Sequence, residues 1–141
     1  MPMLNHMVLV VAALAISTAV AAAKDVPKQE ECSIFGAEEI ENSIRQAPSC
    51  RRAVALFELC EFGASGDVGL GAAVTERCEG DFLSKLNTAQ KRSYDREQKR
   101  CARKYRNEDG TIYRSFEAFC GAYVARDYSA RFLKAAPAER K

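Results

Sequence analysis

The chain has 141 residues, 48% hydrophobic and 28% charged, a balance that suits one folded domain with a core of ordinary size. Its net charge of +2 conceals a segregated pattern: residues 24–84 carry 6 basic and 12 acidic side chains, residues 85–106 carry 9 and 2, and the remainder adds +1. The single histidine, His6, sits in a segment expected to be removed, which argues against Ser-His-Asp and Cys-His catalysis and against a Cys/His zinc site in the mature protein.

Residues 7–23 are almost wholly apolar and end in Ala21-Ala22-Ala23, the small residues that a signal peptidase accommodates in its narrow subsites. Residues 1–23 are therefore read as a signal peptide cleaved after Ala23, although Met1 to His6 contain no Lys or Arg. A membrane anchor is the competing reading, and the run is short against the roughly 20 residues that a spanning helix needs. The first cysteine is Cys32, too far on for lipid attachment at a new amino terminus. The expected destination is the periplasm or the exterior.

Residues 24–31 are polar, contain Pro27 and read as a flexible lead. Gly36 can cap a first helix that opens with Ala37-Glu38-Glu39, carries Ile40 and Ile44 one turn apart, and stops before Pro48. Ser49 is the expected N-cap of a second helix with Cys50, Ala53, Val54, Leu56, Phe57 and Cys60 on its apolar side. Gly63-Ala64-Ser65-Gly66 breaks it, and Asp67 is expected to cap a third helix along which Val74, Cys78, Phe82, Leu86 and Ala89 recur at helical spacing.

This third segment either runs to about Tyr105 or breaks at Gly80 and Leu86-Asn87-Thr88, with Thr88 capping a fresh start. A polar turn follows at Asn107-Glu108-Asp109-Gly110. The last helix opens at Thr111 or Ser115, places Phe116, Cys120, Tyr123 or Val124, Asp127 or Tyr128, and Phe132 on one face, and ends by Pro137. No segment alternates with period two. The expected fold is all-α: a small disulfide-stapled antiparallel bundle of about four helices over residues 32–136, with 137–141 as a tail.

The six cysteines are even in number and form no C-x-x-C unit, so an oxidising compartment should pair them. Antiparallel neighbours bring together residues equally distant from their turn. Turns near 47, 65 and 110 then set Cys32 opposite roughly residue 62, Cys50 opposite roughly residue 80, and Cys101 opposite roughly residue 119. The expected bridges are Cys32 with Cys60, Cys50 with Cys78, and Cys101 with Cys120.

The basic run Lys91, Arg92, Arg96, Lys99, Arg100, Arg103, Lys104 and Arg106 could track phosphates. Export and the scarcity of interleaved aromatics set nucleic acid aside in favour of a solvated helix face or an anionic lipid or envelope polymer. The carboxylates Asp67, Glu76, Glu79, Asp81 and Asp95 could furnish an acid/base pair, but a solvated face accounts for them more simply. Phe57, Phe82, Phe116, Phe119, Tyr123 and Phe132 are read as core. The stretch Asp109, Gly110, Thr111, Tyr113, Arg114 and Ser115, held between two cysteines, is either helix capping or a docking loop with exposed hydroxyls for a protein partner. No catalytic residue, metal or cofactor is assigned.

Cys50-x-x-Ala53, Cys60, Cys78-x-x-x-Phe82, Leu86-Asn87, Ala89-Gln90, Cys101, Gly110-Thr111 and Cys120 with Arg126 downstream form a pattern over residues 50–133. It resembles the exported bacterial helical family named after the lysozyme inhibitor LprI. The chain departs from that family after Ala-Gln, where Lys91 to Ser93 stand in place of an aromatic, and before Cys101, where Gln98-Lys99-Arg100 replace an Arg-Asp pair. The resemblance implies a non-enzymatic binder that occludes the cleft of a lysozyme or another cell-wall hydrolase with a loop, acidic surface meeting a cationic enzyme.

Overall fold

The arrangement of Asp67, Ser115, Asp81 and Ser129 fixes how the helices run. In the computed structural model, which describes residues 31–136, Ser115 donates to buried Asp67 (2.6 Å) and Ser129 donates to Asp81. Both pairs are 48 residues apart in sequence, one at the start of the third helix and one just past its end, so that helix and the last one run parallel. The expected signal peptide 1–23, most of the lead 24–31 and the tail 137–141 lie outside the described residues.

Five α-helices occur where about four were expected: α1 (Ala37–Arg45), α2 (Cys50–Cys60), α3 (Asp67–Glu79), α4 (Thr88–Tyr105) and α5 (Thr111–Ala135), with a 3-10 turn at Leu83–Lys85. The described residues are all-α, and the three expected disulfides form: Cys32–Cys60, Cys50–Cys78 and Cys101–Cys120, with Cα separations of 5.0, 4.6 and 5.6 Å. Helix α3 packs on α5 and α1, α4 returns antiparallel beside α5, and α2 lies against α1 and α3.

Local chemistry explains the helix ends. Gly36 (φ 92°) precedes α1, and the Ser49 hydroxyl accepts the Arg52 N–H at 3.2 Å to start α2. Helix α3 departs from expectation: Gly66 is its N-cap and Asp67 its first residue, with the Asp67 carboxylate accepting from the N–H groups of Phe62 (2.7 Å) and Ala64 (3.3 Å). Asp67 therefore ties down the loop before the helix.

The long third segment divides. Helix α3 ends at Gly80, Phe82 turns wholly into the core, and Leu86 is extended. The new start uses Asn87, not Thr88: its side chain accepts the Gln90 N–H while Gln90 accepts the Asn87 N–H, both at 2.9 Å, a capping box. Leu86-Asn87 and Ala89-Gln90 thus have a local physical role as a helix start. Ala89, expected on the apolar track, is exposed.

Ile40, Ile44, Phe57, Leu70, Val74 and Phe82 fill the centre, each at most 2% exposed. Burial of such side chains contributes roughly 1.5–3 kcal/mol each. Phe57 stacks on Phe119 at 4.1 Å between ring centroids, and Phe82, Tyr94 and Tyr128 form a second cluster with centroids 4.9–5.6 Å apart. Phe116 departs from its expected place in the core: it is exposed and rests on Tyr105 and Tyr113.

Candidate functional site

Helix α4 buries little. Only Tyr94 and Cys101 are buried, and polar ties hold the helix to its neighbours. Gln98 donates to the Tyr94 hydroxyl (2.8 Å) and to the Gly121 carbonyl of α5 (3.1 Å); Tyr128 of α5 donates to Glu97 (2.7 Å). Tyr94 itself donates to Glu79 (2.8 Å) at the end of α3. Burial, followed by this carboxylate, pushes the Tyr94 hydroxyl well above the ordinary tyrosine value of 10.0.

With its inner face occupied in this way, α4 turns every member of the basic run outward. Lys91, Arg92, Arg96, Lys99, Arg100, Arg103, Lys104 and Arg106 are all exposed, and none lies within 4.0 Å of a carboxylate among the described residues. Arg45, Arg77, Arg114 and Arg126 by contrast each have an acidic partner. Lys104 lies 4.9 Å over the Tyr105 ring.

The turn after α4 brings a second feature into the same place. Gly110 (φ 112°) is the N-cap of α5, so Thr111 to Ser115 are its first turn. Asp109, Gly110, Thr111 and Arg114 are exposed, and Tyr113 is half-buried against Tyr105 and Phe116. Ser115, expected as an exposed hydroxyl, is only 1% exposed and is committed to Asp67. Position 115 lies on the inner side of the helix, which spacing from the turn alone could not show.

Arg114 and its ion-pair partner Glu117 (3.2 Å) line an open recess of about 340 Å³ together with Lys99, Ala102, Arg103 and Arg106. The basic run and the 109–115 stretch, separate in the sequence, therefore share one surface. Across α5, a wider groove of about 630 Å³ has Glu61 on one wall, Lys104 and Tyr105 on the other, and Phe116, Phe119 and Tyr123 along α5.

Two other places bear on chemistry. A cleft of about 250 Å³ between α3, α4 and α5 is lined by Gly71, Thr75, Gln98 and Gly121 among others, and its only carboxylate, Glu117, is already paired with Arg114. The carboxylates considered for acid/base work do not form one solvated face. Asp67 is fully buried, Asp81 pairs with Arg77 (3.1 Å) and accepts from Ser129, Glu79 accepts from Tyr94, and Glu76 pairs with Arg45 (2.9 Å). Only Asp95 is exposed without such a partner. The described residues contain no group of three or more metal-ligating side chains, and no described helix is long and apolar enough to cross a membrane. The chain matches no protein-family model, no curated protein and no solved structure.

Proposed function

We propose that the protein is an exported, non-enzymatic binding protein that attaches to anionic envelope material, polymer or lipid, through the outer face of α4. One observation carries this reading: seven exposed cations on α4 and an eighth, Arg106, at its C-cap, none within 4.0 Å of a carboxylate among the described residues. Unpaired like charges repel one another and cost stability unless a counter-surface covers them. The three disulfides accord with an oxidising destination.

The test is retention on anionic vesicles and on an anionic polymer across a salt series. Binding should weaken by about tenfold or more between about 50 and about 200 mM salt. Reversal of Arg92, Arg96 and Arg100 to Glu should abolish it. Binding indifferent to salt and to these reversals would overturn the reading.

A second reading, inhibition of a lysozyme in the manner of the LprI-type family, draws on a different observation. The Asp109–Thr111 turn is exposed and tethered by the Cys101–Cys120 bridge, so it would lose little freedom on docking. Glu38, Glu39, Glu58 and Glu61 supply an exposed acidic surface on α1 and α2, suited to a cationic enzyme, whereas the arginines beside the turn oppose one. Lysozyme assays with oxidised protein and a reduced, alkylated control decide between them: stoichiometric inhibition lost on reduction establishes the second reading.

A further inference from the structure

Six large apolar side chains among the described residues are at least 42% exposed: Phe35, Phe62, Val68, Ile112, Phe116 and Leu133. Five of them gather at one end of the bundle. The Cys32–Cys60 bridge holds Phe35 near the last turn of α2, and the Phe62 N–H is bonded to Asp67, the first residue of α3. Asp67 takes the Ser115 hydroxyl, which sets the start of α5, with Ile112 and Phe116, beside the start of α3. Tyr105, the last residue of α4, lies 6.0 Å from Phe116 between ring centroids. Glu76 binds Arg45 in α1 and Arg77 binds the Ala47 carbonyl, so α1 runs with α3 and its first turn lies at this end too.

Charge on this end is divided. Helix α1 contributes the exposed carboxylates Glu38 and Glu39, and the C-cap of α2 contributes Glu61, on one side of α3 and α5. The end of α4 contributes Arg103, Lys104 and Arg106 on the other, outnumbering Glu108 and Asp109 of the turn that follows, while Arg114 is paired with Glu117. The groove between them is lined by Glu61 from the α2 side, by Lys104 from the α4 side, and by Phe116 and Asp127 of α5.

We propose that this end is a self-complementary surface on which a second copy of the chain docks about a two-fold axis. In an isologous pair the same patch serves both partners, so the patch must complement itself. An axis lying across the end, between its acidic and basic halves, sets each basic half against the other copy's acidic half and joins the apolar side chains at the centre. An apolar centre inside a charged rim is the usual anatomy of such an interface. An anionic bilayer is the poorer match, because Glu38, Glu39 and Glu61 would face its headgroups. The proposal draws on Arg103, Lys104 and Arg106 at the end of α4 and leaves Lys91, Arg92 and Arg96, in the first half of that helix, free for attachment.

Sedimentation equilibrium of the protein recovered oxidised from an exporting host tests it, with circular dichroism to confirm folding of each variant. The wild type should form dimers that dissociate as salt rises. A variant with Lys104→Glu and Arg106→Glu, and another with Glu38→Lys and Glu61→Lys, should each self-associate at least about tenfold more weakly. Mixed together, the two should regain association as a heterodimer, since the reversed side of one then meets the reversed side of the other and the unaltered sides meet as before. Phe116→Asp should abolish dimers in the wild-type background. A monomer up to about 100 µM, a mixture that fails to associate, or a monomer that needs Phe116 for binding to vesicles would each overturn the proposal.

Discussion

A carboxylate with no exposure to water must find its hydrogen-bond donors inside the protein, and Asp67 takes them from Phe62, Ala64 and Ser115. Asp67→Ala strands two backbone N–H groups and a hydroxyl, and should cost about 3 kcal/mol in urea unfolding, against about 1–2 kcal/mol for Ser115→Ala. Equal effects of the two substitutions would show that the backbone donors contribute nothing. Tyr94 makes a prediction in pH. Its hydroxyl holds its proton in the folded state to a higher pH than in the unfolded chain, so above about pH 10 the unfolded state binds fewer protons than the folded one. Stability should then fall by up to about 1.4 kcal/mol per pH unit, and Tyr94→Phe should flatten that slope. The Ser49 cap was legible in the sequence because its donor lies three residues away. The burial of Asp67 was not, because what covers it arrives from 48 residues later in the chain.

Among the elements, α3 and α5 carry the closest packing. A Cβ built at Gly71 would stand 2.8 Å from the Ala118 Cβ and 2.9 Å from its carbonyl oxygen, so this glycine lets two parallel helices approach. Gly71→Ala should therefore lower stability by about 1–3 kcal/mol despite alanine's greater helix propensity, a sign that thermal or urea unfolding reads directly. The three antiparallel pairings could be inferred from turn position, since equal rise on both sides of a turn brings equidistant residues together, and the cysteine pairs follow that geometry. The parallel pairing of α3 with α5 joins elements that are not consecutive, and no turn announces it. The division of the third segment was visible only as weak points at Gly80 and Leu86-Asn87-Thr88. What decided it was Phe82 turning inward and the Asn87–Gln90 capping box.

Across the whole molecule, the segregation of charge along the chain becomes segregation in space. Helix α4 rises from the rest almost wholly cationic on its outer side, while α1 and α2 hold exposed carboxylates across the bundle. The sequence showed the basic run and the 109–115 stretch as two features, and the recess shared by Lys99, Arg103, Arg106 and Arg114 joins them. That union depends on the Cys101–Cys120 hairpin setting the last turns of α4 against the first turns of α5.

The order of the bridges along the chain divides the protein covalently. Cys32–Cys60 and Cys50–Cys78 interlock within residues 32–78, Cys101–Cys120 closes within the hairpin, and no bridge joins the two groups. A protease that cuts at exposed Lys85 would leave two fragments tethered by nothing but helix packing, whereas a cut in the 107–110 turn would leave its products linked through Cys101–Cys120. Two separately made, separately oxidised chains divided at Lys85 should therefore find each other on mixing and rebuild the α3–α5 contact. The recovered helicity after mixing would measure how strongly the covalently independent halves attract one another.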